Sequence, residues 1–170
     1  MTVATKRRPG RPDLVSRWLI ALLAGAIAIL LNTAALAAAD LVQLPTAHGG
    51  LLRLLQDLLG GLVRLPSGRA FQTGFHIVVG LGMALFYAFV LAPILPGRSW
   101  VKGAIYALAV WLANAVIVLP VTGEGFAGSR SLSLAGMAWF AAVHTLFFVV
   151  QAVLYHHLCQ IWLARRPAAS

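Results

Sequence analysis

Long apolar runs alternate with short polar segments along the whole chain. A helix needs about 20 mostly apolar residues to cross ~30 Å of hydrocarbon. Four stretches meet that length: residues 18–39, 71–95 (broken late by Pro93), 103–121 and 134–163. Each is expected to be helical, because lipid offers no partner to an unpaired backbone N–H or C=O. The segment between the first two runs has a different rhythm. Leu51, Leu55, Leu58, Leu62 and Leu65 recur at alternating spacings of four and three, with Arg53, Asp57, Gly60 and Arg64 on another face. That pattern predicts an amphipathic helix within 47–65, too polar to span, which lies on the outer leaflet or caps the bundle. The Gly60-Gly61 pair weakens it or divides it. A dimer seam along the leucines is the weaker reading, since two heptads without strong flanking charges rarely suffice.

Composition supports lipid as the solvent. Of 170 residues, 61% are hydrophobic and 10% charged, against roughly 25% charged in ordinary soluble domains. One core cannot hide that excess, because a domain of this size leaves about 30% of its surface in water. A soluble enzyme, a disordered chain and a disulfide scaffold are thereby excluded; Cys159 is the single cysteine and has no intramolecular partner. Cys159 reads as a small packing hydrophobe rather than a lipidation site. The expected fold is all-α: an integral membrane four-helix bundle with one additional interfacial helix, residues 18–166 forming one membrane domain behind a basic tail at 1–17.

The net charge of +9 reads as topology rather than nucleic-acid binding, because the basic residues sit between the apolar runs instead of on one face. Lys6, Arg7, Arg8, Arg11, Arg17, Arg98, Lys102, Arg165 and Arg166 fall on one side; Arg53, Arg64, Arg69 and Arg130, offset by Asp40, Asp57 and Glu124, fall on the other. The imbalance predicts both termini in the cytoplasm of a bacterial inner membrane. Trp18, Trp100 and Trp162 stand at the inner ends, where amphipathic rings prefer the interface. Ala37-Ala38-Ala39 before Asp40 resembles a signal cleavage site, but the apolar run ahead of it exceeds the usual 7–15 residues and favours an uncleaved anchor.

Candidate chemistry is confined to polar residues inside the apolar runs: Asn32, His76, Asn114, His144 and Thr145. With a 1.5 Å rise per residue, Asn32 and Asn114 lie roughly 5 Å outward of mid-span, His144 about 6 Å and His76 about 10 Å. Such groups are costly in lipid and should face the bundle interior. They either hydrogen-bond between helices or line an outer-half polar cavity; in the second case His76 and His144 could bind haem or another metal, or serve a small transporter. His156 and His157 belong to the inner interface. Gly25, Gly80, Gly82 and Gly103, with Ala21, Ala24, Ala28 and Ala107, mark expected close helix contacts. No nucleophile–base pair, phosphate loop or dinucleotide fingerprint is present, and Ser129, Ser131 and Ser133 lack a nucleophile-elbow context. The leading expectation is a non-enzymatic accessory or structural protein with no resident cofactor, partnered by the lipid bilayer and open to homo- or hetero-oligomers in it.

The stretch His76-Ile-Val-Val-Gly80, Phe86-Tyr87-Ala88, Leu95-Pro96-Gly97, Gly103, Trp111 and Leu119-Pro120 resembles the YagU-like small bacterial inner-membrane proteins. The resemblance covers about half the chain and implies a four-helix membrane protein without assigned chemistry, with His76 and Gly80 as the positions carried over. The leucine-rich segment at 51–65 has no counterpart in that pattern.

Overall fold

The computed structural model describes residues 12–46, 50–60, 66 and 68–165. Among these residues the chain is helical, with no strand. Four helices are long and apolar enough to cross a membrane: α1 (Leu14–Leu41), α3 (Arg69–Ile94), α4 (Ser99–Val121) and α5 (Leu134–Ala164). The short α2 (Gly50–Leu59) stands between α1 and α3. Exposed Leu19, Leu23, Leu30, Leu108 and Leu146 give the bundle an apolar outer surface that water would not stabilise. The chain is a multi-pass membrane protein.

Two caps show how local chemistry sets helix ends. The Asp13 carboxylate accepts from Ser16 N–H at 2.9 Å, and Ser133 Oγ accepts from Gly136 N–H at 3.1 Å; each satisfies an otherwise orphaned first-turn donor. The helices alternate in direction. One face of the bundle therefore carries the start of α1, the 95–98 turn and the end of α5. The opposite face carries α2 and the 122–133 loop.

Both α3 and α4 widen into π-helical turns, at Tyr87–Leu91 and Asn114–Val118. In each, a proline (Pro93, Pro120) stands two residues beyond the wide turn. Proline has no N–H to donate and its ring clashes with the carbonyl four residues back; loosening the preceding turn relieves that clash. The displaced carbonyls find other donors. Ala92 N–H turns to Tyr87 O, and Arg17 Nη2 donates to Ala88 O at 2.9 Å while its guanidinium lies 4.6 Å from the Phe89 ring centroid. Pro96 cannot reach Ala92 O, which accepts instead from Lys102 Nζ at 2.6 Å. Two of the basic residues read as topology charges thus also close backbone vacancies.

The packing order is α3 on α1, α1 on α5 and α5 on α4. Three glycines sit at these seams as expected. A Cβ on Gly25 would meet Ala84 Cβ at 2.5 Å, one on Gly80 would meet Ile29 Cδ1 at 2.6 Å, and one on Gly103 would meet Phe148 O at 2.7 Å. Ala21, Ala24, Ala28 and Ala107 are buried beside them. Close backbone approach and dispersion hold such seams, since lipid removes the hydrophobic drive between helices. Gly82 corrects the expectation: a Cβ there would meet nothing within 4 Å. It lies two residues past Gly80, roughly 200° around the helix, and so faces outward.

α3 and α4 do not pack backbone to backbone. Toward the terminal face the gap is filled by Tyr106, whose ring lies 4.4 Å from Phe148, 6.0 Å from Phe86 and 6.3 Å from Tyr87. Toward the other face it stays open, roofed by α2. Gly50 lies against Val118 and Leu119, and Leu52 is 3% exposed. The amphipathic helix therefore caps the bundle, but on a different row from the predicted one. Leu58, assigned to the apolar face, is 71% exposed, and the helix ends at Gly60, whose φ is +39°. Leu62, Leu65, Arg64 and Gly61 lie outside the described residues, as do Lys6, Arg7, Arg8, Arg11 and Arg166.

Candidate functional site: a polar cavity between the spans

Beneath α2 lies a cavity of about 820 Å³, bounded by all four spanning helices. Two helical stripes supply its polar wall. On α1, Asn32, Thr33 and Asp40 face it; on α3, Arg69, Gln72, Thr73 and His76 do. Positions three and four apart share a helix face, so each stripe reads down from the bundle end toward its middle. The facing wall is largely apolar and aromatic, with Phe140, Phe147 and Phe148 from α5 and Val110 and Leu119 from α4. The charged members stand at the mouth, near the ends of α1 and α3; the deeper ones are amides and imidazoles.

Asn32 is the hub. It is 1% exposed, and its Nδ2 donates to Val143 O on α5 at 3.1 Å. A carbonyl only accepts, so this bond orients the amide and turns Oδ1 toward His76, whose Nε2 lies 2.9 Å away. Oδ1 likewise only accepts, so His76 Nε2 carries the proton and donates. One asparagine thereby ties α1 to α3 and to α5. His144 is fixed by the same logic. Its Nδ1 lies 2.8 Å from Phe140 O and must donate, which leaves Nε2 of the neutral ring a bare acceptor. Among the described residues no donor engages that nitrogen, and the only side-chain atoms both sealed and unpartnered are those of Gln151. His144 Nε2 therefore opens onto the cavity that His144 lines. The His144 ring stacks obliquely on Phe140 at 4.1 Å and meets His76 edge to face at 6.4 Å.

Of the residues singled out from sequence, Asn32, His76, His144 and Asn114 all line this one cavity. Asn114 stands on the α4 wall and donates one Nδ2 hydrogen to Val110 O of its own helix, 3.0 Å away. Thr145 does not belong to the site. It is exposed, and its hydroxyl donates to Ala141 O at 2.8 Å. Adjacent residues on a helix point about 100° apart, so His144 facing inward sends Thr145 outward. Among the described residues no group of three His, Cys, Asp or Glu side chains is placed to hold a metal. Thr33, Gln72 and Thr73 escaped the sequence reading, although Gln72 and Thr73 stand four and three residues before His76 on the same helix face. Gln151 also escaped it: a lone amide midway along α5, 1% exposed, with both polar atoms unpartnered. It does not line the cavity.

The chain matches no family model, and no curated protein or solved structure matches it.

Proposed function

We propose that this chain is a non-enzymatic binding protein of a bacterial inner membrane, taking a small amphiphilic molecule into the cavity and leaving it chemically unchanged. The reading has both termini in the cytoplasm, supported by Arg17, Arg98, Lys102 and Arg165 on the terminal face. The cavity then opens toward the outside. The observation that carries the proposal is the meeting of Asn32, His76 and His144 in a space of about 820 Å³. Interhelical glue alone needs no such volume; a pocket combining apolar walls with a few convergent polar groups is the usual form of a small-molecule site. Access is lateral, through the gap between α3 and α4, so a ligand dissolved in the bilayer enters without crossing water.

The test uses the full chain in lipid nanodiscs loaded with a total bacterial lipid extract, read by native mass spectrometry. The expected result is a bound small amphiphile on the wild type that is lost when Val79→Trp fills the cavity. Equal adduct patterns for the two proteins would refute the reading. Metal analysis and a visible spectrum on the same sample decide the haem or metal alternative: a Soret band abolished by His144→Ala would replace the proposal with it.

A further inference from the structure

Resting on that reading, we infer the chemical class of the ligand: a neutral molecule with a flat aromatic ring and a hydroxyl group, the hydroxyl donating to His144 Nε2 and an apolar tail leaving through the α3–α4 gap. Three observations carry this. First, the imidazoles at the deep end offer a lone pair and no free proton. The Phe140 carbonyl holds the His144 proton on Nδ1 at 2.8 Å, and Asn32 holds the His76 proton at 2.9 Å. Both imidazole N–H groups are thus committed within the protein, while His144 Nε2 presents a lone pair. A phenol or quinol hydroxyl complements it; a carbonyl or ether oxygen brings a second acceptor and no proton. Second, the deep walls carry no charge. Asp40 and Arg69 are confined to the mouth, so a charged head placed against His144 would lose its hydration without a counter-charge. Third, the wall around that acceptor is aromatic. Phe140 lies 4.1 Å from the His144 ring, and Phe147 and Phe148 meet edge to face at 4.8 Å just below it, surfaces suited to a planar ring. The gap beyond is lined by Val79, Met83, Val110 and Leu119, which suits a hydrocarbon tail.

The test uses three redox-inert probes with the full chain in nanodiscs: 4-nonylphenol, its methyl ether 4-nonylanisole, and 1-decanol. Dissociation constants come from native mass spectrometry titration. Nonylphenol should bind roughly tenfold more tightly than nonylanisole, the worth of one hydrogen bond in a dry site. His144→Phe should bring the phenol down to the ether's affinity and leave the ether unchanged. Should that variant fail to fold, the wild-type ratio and His144→Gln, which keeps an acceptor and part of the preference, still decide. Equal binding of phenol and ether by the wild type overturns the hydroxyl inference while leaving the cavity a binding site. Decanol binding as tightly as nonylphenol overturns the aromatic ring. If none of the three binds, the amphiphile-binding reading itself falls.

Discussion

Replacing Gly103 and Gly82 by alanine, one at a time, should move stability in opposite directions. Both are helical glycines in spanning segments, so each substitution gains the same propensity, about 1 kcal/mol on the water scale. They differ in what the new methyl group meets. At Gly82 it meets nothing within 4 Å, so the gain stands. At Gly103 it would lie 2.7 Å from Phe148 O and 2.8 Å from Val149 Cα. Both are backbone atoms of α5, so no rotamer change relieves the contact and α4 must withdraw by roughly half an ångström. That loosens the Tyr106–Phe148 contact, now 4.4 Å between centroids. Overpacking of this kind costs about 1–3 kcal/mol, and rigid backbone neighbours place it at the upper end. The net expectation is about 1 kcal/mol gained at Gly82 and about 1–2 kcal/mol lost at Gly103. Reversible unfolding in mixed micelles, followed by far-ultraviolet circular dichroism against dodecyl sulfate mole fraction, measures both. Equal stabilities for the two variants would refute the account of the α4–α5 seam.

The Asn32 hub can be tested by a double-mutant cycle. Asn32→Leu strands the His76 N–H and should cost about 1–2 kcal/mol, and the double variant Asn32→Leu/His76→Phe should recover about 0.6–1.7 kcal/mol of that as coupling; additive losses in the same unfolding assay would disprove the 2.9 Å bond. Gln151→Met removes two unpartnered buried amide atoms at nearly constant volume. It should stabilise the bundle by about 1–3 kcal/mol, and a raised dodecyl sulfate midpoint is the sign to look for. A lowered midpoint would refute the reading of the Gln151 amide as unpartnered.

Much of the architecture was legible without coordinates, because lipid imposes its own demands. An apolar run of spanning length has to become a helix, so the expected 18–39, 71–95, 103–121 and 134–163 became Leu14–Leu41, Arg69–Ile94, Ser99–Val121 and Leu134–Ala164. Polar residues within such runs must turn inward, and Asn32, His76, Asn114 and His144 do line one cavity. Sequence pattern misleads where a residue's direction around its helix matters more than its type. Gly82 and Thr145 neighbour residues that face the bundle, yet one or two steps of about 100° turn a side chain away. Leu58 followed a plausible leucine row on α2, but the seating of that helix against Val118 and Leu119 selected Leu52 instead.

The amino-acid sequence by itself determined that this protein lives in lipid, how many times it spans, and which few polar groups have to be sheltered, since each follows from composition and the length of apolar runs. Only the tertiary structure decided that α3 and α4 stay apart, that the resulting gap is a cavity rather than a seam, and that Asn32 reaches two helices at once. Those outcomes depend on how helices rotate and lean on one another, and in a membrane that is settled by steric fit between small residues and a handful of hydrogen bonds.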